Sequence, residues 1–157
     1  MSRTVQITFD CHDPDALARF WNEALGYRYD SPPPGFATWA EALDHFGVPE
    51  EDRNNASASV DPDGVGPRLW FQKVPEASVT EQTSPDGPVK RQKNRVHLDV
   101  RAAPGLQGDA RMAALEAECE RLVTLGATRV QRYEPAPPMD VGHIVMEDPE
   151  GNVFCLD

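Results

Sequence analysis

Cysteine is scarce in this sequence: Cys11, Cys119 and Cys155 make an odd total, and no two stand at a Cys-x-x-Cys spacing. Neither a disulfide framework nor a structural zinc site follows from that pattern, and buried free thiols are expected instead. Long apolar runs are missing as well. No stretch approaches the roughly 20 residues that a membrane span requires, so the chain is not expected to enter a bilayer. Residues Met1-Ser2-Arg3-Thr4-Val5-Gln6 lead straight into a strand-like pattern without the apolar core of a secretory leader, and a cytoplasmic protein is expected. Positive charge is in deficit, with 15 Lys and Arg against 26 Asp and Glu and a formal net charge of -11. Binding to phosphate backbones or anionic lipid needs a basic face that displaces counterions, so nucleic acid is not an expected partner.

What the chain does have is a repeat. Ser59-Val60-Asp61-Pro62-Asp63-Gly64 recurs as Met146-Glu147-Asp148-Pro149-Glu150-Gly151, and an apolar run follows each copy, Arg68 to Val74 and Asn152 to Leu156. In an Asp-Pro-acid-Gly turn, Asp opens the turn, Pro fixes φ, and Gly supplies the positive φ that folds the next strand back. Two such hairpins imply a duplicated module. A length of 157 residues with 39% hydrophobic content suits one domain, or two half-domains sharing a core.

The elements repeat in order. Val5 to Cys11 alternates as a half-buried strand, with Val5, Ile7 and Phe9 on one face and Gln6, Thr8 and Asp10 on the other. Asp13 caps a helix that Pro14 opens, Asp15 complements its dipole, and Leu17, Phe20, Trp21, Ala24 and Leu25 form its apolar stripe up to a cap at Gly26. Tyr27 to Tyr29 reads as a strand. Phe36 to Asn55 reads as an insertion containing a short helix with Thr38, Trp39, Ala42, Leu43 and Phe46, ending at Gly47. Ala56 to Val60 and Arg68 to Val74 make the first hairpin.

Residues 76–93 form a polar linker between module 1 (4–75) and module 2 (94–157). In the second module, Val96 to Arg101 is a strand with Val96, Leu98 and Val100 opposite His97, Asp99 and Arg101. Asp109 opens a helix carrying Met112, Leu115, Cys119, Leu122 and Val123, and Gly126 ends it. Ala127 to Arg132 is a strand, Tyr133 to Gly142 a Pro-rich loop, and His143 to Glu147 with Asn152 to Leu156 the closing hairpin.

The stretches Asp13-Pro14, Leu17-Ala18-Arg19-Phe20-Trp21-Asn22-Glu23-Ala24-Leu25-Gly26-Tyr27, Asn94-Arg95-Val96-His97-Leu98-Asp99-Val100, Leu125-Gly126-Ala127-Thr128 and Asp148-Pro149-Glu150-Gly151-Asn152-Val153-Phe154 together span both modules. On these the chain resembles the glyoxalase / bleomycin resistance / extradiol dioxygenase superfamily, the vicinal oxygen chelate fold, and within it the bacterial glyoxalase-like proteins. The resemblance implies an α+β fold of two tandem βαβββ modules with curved mixed sheets. It implies homodimers, and ligands on inward positions of the first and last strands of each module. By register those positions fall on Gln6 and His97 as ligands of a divalent metal. The last-strand position, usually Glu, is Cys155 here, and its counterpart in the first module is Trp70 or Gln72.

The residues admit plainer readings too. His97 is a metal ligand or a general base oriented by Asp99, or the two form a hydrogen-bonded pair that fixes the strand. Gln6 contacts metal or substrate, or partners a neighbouring backbone group. Cys155 coordinates a soft metal as thiolate, or is an inert thiol. Trp70 and Gln72 floor a pocket on which a planar ligand stacks, or pack into the core. The function expected is that of a glyoxalase-like protein binding or acting on a small organic molecule in the cleft of its sheets, with a divalent metal. A metal-free sequestering protein of the bleomycin-resistance type is the alternative. Whether the chain is an enzyme stays open. A metal-dependent lyase, isomerase or dioxygenase needs a carboxylate that this ligand set does not supply.

Overall fold

The computed structural model describes residues 4–74, 96–136 and 141–157. The expected linker at 76–93 lies outside the described residues, as does part of the Pro-rich loop. The chain divides into two compact units, Met1–Thr80 and Glu81–Asp157.

The first unit runs β1 (Gln6–Cys11), α1 (Pro14–Leu25), β2 (Arg28–Tyr29), α2 (Trp39–His45), a 3₁₀ turn (Glu50–Asp52), β3 (Ala56–Val60) and β4 (Arg68–Lys73). Its sheet order is β1-β4-β3-β2, with β1 parallel to β4 and the other pairs antiparallel. The Asp13 side chain accepts from the Ala16 amide at 3.1 Å, and Gly26 closes α1 in the left-handed region at φ 69. Between these caps Leu17, Phe20, Trp21 and Ala24 are buried, and α1 lies on β3 and β4. Phe9 sits 5.5 Å from the Trp21 ring and 5.3 Å from that of Phe71, so the apolar face of β1 and β4 meets the helix stripe.

The second unit runs β5 (Leu98–Val100), α3 (Gly108–Thr124), β6 (Thr128–Tyr133), β7 (His143–Glu147) and β8 (Val153–Leu156). Its order, β5-β8-β7-β6, is that of the first sheet, again with the first and last strands parallel. Met112, Leu115, Cys119 and Leu122 of α3 are buried, as are Ile144, Met146, Phe154 and Leu156 of the sheet. The α+β architecture of two four-stranded mixed sheets is the one expected.

Several details differ from the sequence pattern. Val5 and Val96, each expected on a buried face, are 71% and 79% exposed. Each precedes its strand, so no ladder partner covers it. For the same reason His97 lies just before β5 rather than within it. Val123, expected in the apolar stripe of α3, is exposed. In α2 only Ala42 is buried, and a capping box between Thr38 and Glu41 fixes its start.

Both turns are organised by their aspartate. Asp61 accepts from the amides of Asp63 (2.9 Å), Val65 (3.0 Å) and Gly66 (2.6 Å), and Gly64 adopts φ 69. A Cβ at Gly66 would stand 2.0 Å from the Tyr27 hydroxyl, so that position admits no side chain without displacement. Asp148 is 2% exposed. It accepts from the amides of Glu150 (3.0 Å) and Asn152 (2.9 Å) and from the Asn152 side chain (2.8 Å), with Gly151 at φ 84.

Asp148→Ala takes the acceptor away from these part-buried donors and is expected to cost about 1–3 kcal/mol. Chemical denaturation checks this, and an unchanged midpoint would refute the role given to the carboxylate. Asp61 predicts a pH effect. Its carboxyl is held below the usual range, first by the Gly66 amide and then by those of Asp63 and Val65. A depressed folded value stabilises the fold above the unfolded pKa, and that contribution is lost as pH falls through the folded value. In acid titrations of stability, Asp61→Asn is expected to flatten the acid limb; a limb as steep as in the parent chain counts against this account.

Candidate functional site

Strand alternation and the parallel register fix what stands beside what on the first sheet. Gln6 pairs with Arg68, Thr8 with Trp70, and Asp10 with Gln72. Because Ile7, Phe9, Leu69 and Phe71 take the helix side, these six residues share the opposite face. Trp70 and Gln72, left as alternatives by the hairpin length, therefore lie two residues apart on one face.

Arg68 organises this surface. Its Nη1 donates to Gln6 Oε1, its Nε donates to Asp30 Oδ2 at 2.8 Å, and its guanidinium carbon stands 4.9 Å from the centre of the Trp70 ring. Gln72 Nε2 donates to Asp10 Oδ1 at 2.7 Å. The amide oxygen is the atom Gln6 would offer a metal, and here it accepts from a guanidinium. Gln6 is thus part of a polar network built on a fixed cation. Neither Arg68 nor Asp30 was singled out by sequence. The available signal was the alternation Arg68-x-Trp70-x-Gln72, which puts the cation on the same face as the two candidates.

On the second sheet the parallel register sets Asp99 beside Cys155. His97, two residues before Asp99, reaches the same place: its Nε2 is 3.2 Å from Asp99 Oδ1. One ligand atom each of His97, Asp99 and Cys155 lies within 4.8 Å of the others. The two polar side chains are open to solvent, at 35% and 48% exposure, while Cys155 is buried. Imidazole nitrogen, carboxylate oxygen and thiolate sulfur form a donor set suited to a borderline-soft divalent ion such as zinc. Asp99 is expected from the sequence to orient His97 or to contact a ligand itself. The His-x-Asp spacing at the start of β5 brings the two side chains together, and there Asp99 can supply the anionic oxygen.

The first unit also holds a cavity of about 690 Å³ between its insertion and the sheet, lined by Trp70 together with Tyr29, Trp39, Asn54 and Ser57 among others. Residues 36–55 carried no motif that pointed to it. No helix among the described residues is long and apolar enough to cross a membrane.

A family model described as a glyoxalase-like domain matches residues 6–156. No curated protein sequence matches the chain significantly. Among solved structures the chain is similar to the fosfomycin resistance protein FosX from Listeria monocytogenes, at 12% identity and TM-score 0.56, covering 99% of this chain and 92% of that one. It is also similar to hypothetical protein SA1046 from S. aureus, at 13% identity and TM-score 0.55, covering 99% and 93%. A glyoxalase/bleomycin resistance protein/dioxygenase family enzyme from Burkholderia phytofirmans PsJN matches at 14% identity and TM-score 0.54, covering 96% and 94%. At these identities the likeness establishes the fold.

Arg68→Met removes the cation from Gln6, Asp30 and Trp70 together. It is expected to destabilise the fold by about 1–2 kcal/mol, the sum of a half-exposed ion pair and a cation–π contact. Arg68→Lys should restore less than half, since an ammonium cannot fork to Gln6 and Asp30 while lying on a ring. Urea unfolding of both variants checks this, and full rescue by lysine would show that only the charge matters.

Proposed function

The chain belongs to the glyoxalase-like domain family, and on that premise we propose that it binds a small organic molecule on the polar faces of its sheets and holds a divalent ion at His97, Asp99 and Cys155. The observation that carries the reading is the convergence of three different donor atoms within 4.8 Å on one sheet. Bound there, the ion would act as a Lewis acid toward adjacent oxygens of the organic molecule. Asp99 contributes the negative charge that the first-module position, Gln6, does not. His97 and Asp99 remain accessible to a ligand, and Cys155, buried beside Asp99 on the same face, completes the set.

Trp70 and Gln72 supply a ring face and an amide for recognition in the same reading, with Gln6 positioned through Arg68. Pairing of two copies belongs to it too, because open sheets leave strand edges that a second copy can cover.

The test is elemental analysis of protein purified without chelator or affinity tag, with zinc, manganese, nickel and iron(II) titrated under thermal unfolding. A ligand that binds only the native state raises the melting temperature. Near-stoichiometric metal and a metal-dependent rise in Tm are expected, both lost in His97→Ala and in Cys155→Ser. Absence of any metal-dependent stabilisation would sink the metal centre and leave metal-free sequestration as the better account.

A further inference from the structure

The cavity of the first unit arises from a missing length of strand. β2 is only two residues long and pairs with β3 at Val60 and Ser59 alone. The Asp30 amide extends the cover to the Ala58 carbonyl at 2.9 Å, so the outer edge is left without a strand partner at Ala56 and Ser57, and residues of the insertion line a partly open space of about 690 Å³ beside it. Ala56, Ser57 and Ala58 are small, so the strand side of the cavity is left hollow. The volume falls within the roughly 300–1,000 Å³ typical of sites for organic ligands.

Three aromatic rings line the space, and each is held. The Tyr29 hydroxyl donates to Asp15 Oδ1 at 2.9 Å, Trp39 Nε1 donates to the Asp30 carbonyl at 2.8 Å, and Trp70 lies against Arg68. Rings fixed before binding lose little entropy when a ligand arrives.

The charges of the lining are unbalanced. Asp15 is paired with Arg19 at 2.6 Å, and Arg53 with Asp44; neither of those partners lines the cavity. Glu50 and Asp52 also line it, and neither stands in an ion pair with Lys or Arg among the described residues. Asp52 is instead held by the Asn55 amide at 3.0 Å. Among the described residues the lining thus carries Asp15, Glu50 and Asp52 against the one cation Arg53, beside three aromatic rings.

We propose that this cavity binds an organic cation, an amine or quaternary ammonium carried on an apolar body, with the cationic head near Glu50 and Asp52 and the body against Tyr29, Trp39 and Trp70. Ring faces attract cations through their quadrupoles, and carboxylates add direct attraction. The net charge of -11 favours the approach of such a ligand and opposes that of an anion. The proposal rests on the small-molecule part of the reading above and is independent of the metal.

The test titrates the full chain with acetylcholine and with its neutral carbon isostere, 3,3-dimethylbutyl acetate, using calorimetry and tryptophan emission. The cation is expected to bind about tenfold or more tighter than the isostere, consistent with a desolvated cation–π contact. Affinity should fall as salt rises. A Glu50→Gln/Asp52→Asn double variant and, separately, Trp39→Ala should each weaken the cation at least about fivefold, with circular dichroism confirming the fold. Equal binding of the isostere, no saturable binding of the cation, or unchanged affinity in the double variant overturns the proposal. Metal-dependent stabilisation, measured on the same samples and on His97→Ala, responds to the other sheet, so failure of one reading is separable from failure of the other.

Discussion

In each unit the first strand lies parallel to the last, and Gln6, Trp70, Gln72, Asp99 and Cys155 owe their neighbours to that pairing. Parallel partners cannot be joined by a tight turn, so β1 and β4, like β5 and β8, are brought together by everything between them: a helix crossover and a hairpin. The register then decides which side chains meet. A slip of one residue would turn Trp70 toward Trp21 and Phe71 toward solvent, which the buried aromatic stack opposes. The turn aspartates act one step earlier, setting where β4 and β8 begin. Asp61 and Asp148 are remote from the candidate ligands in sequence, yet they govern which residue of each hairpin strand faces which residue of the opening strand.

Much of this was legible beforehand because it depends on local chemistry. Helix caps at Asp13 and Gly26, the two Asp-Pro-acid-Gly turns and the alternation of β1 are all short-range signals, and the elements that they delimit are present. The face shared by Trp70 and Gln72 follows from a period of two, and the register of β1 against β4 adds Gln6 to it. What local pattern could not supply is whether a partner covers a given residue. Val5 and Val96 continue the apolar alternation but lie beyond the ladders. Arg68 looked like an ordinary first residue of a strand, and only the cross-strand register joins it to Gln6. The same register turns Asp99 from a neighbour of His97 into a neighbour of Cys155. The cavity was invisible for a different reason: it is made by the shortness of β2 and by an insertion with little apolar periodicity, so its shape has no counterpart in a sequence pattern.

The two sheets share one strand order and carry different chemistry at equivalent places. In the second, the start of the opening strand and the closing strand bring together an imidazole, a carboxylate and a thiol. In the first, the equivalent strands bring together amides, a ring and a guanidinium. Duplication of a fold fixes positions and leaves their contents free. The consequence here is one surface organised by ligand donors and another organised by a resident cation.

That resident cation, Arg68, sets a permanent condition on the first sheet. A guanidinium keeps its charge at any physiological pH, is bonded to the backbone, and can be neither chelated nor exchanged for another ion. The electrostatic character of that surface is therefore written at translation and does not depend on what the cell supplies, whereas imidazole and thiol on the other sheet answer to their surroundings. A chain with this division keeps the charge of one sheet face constant, whatever becomes of the donor groups on the other.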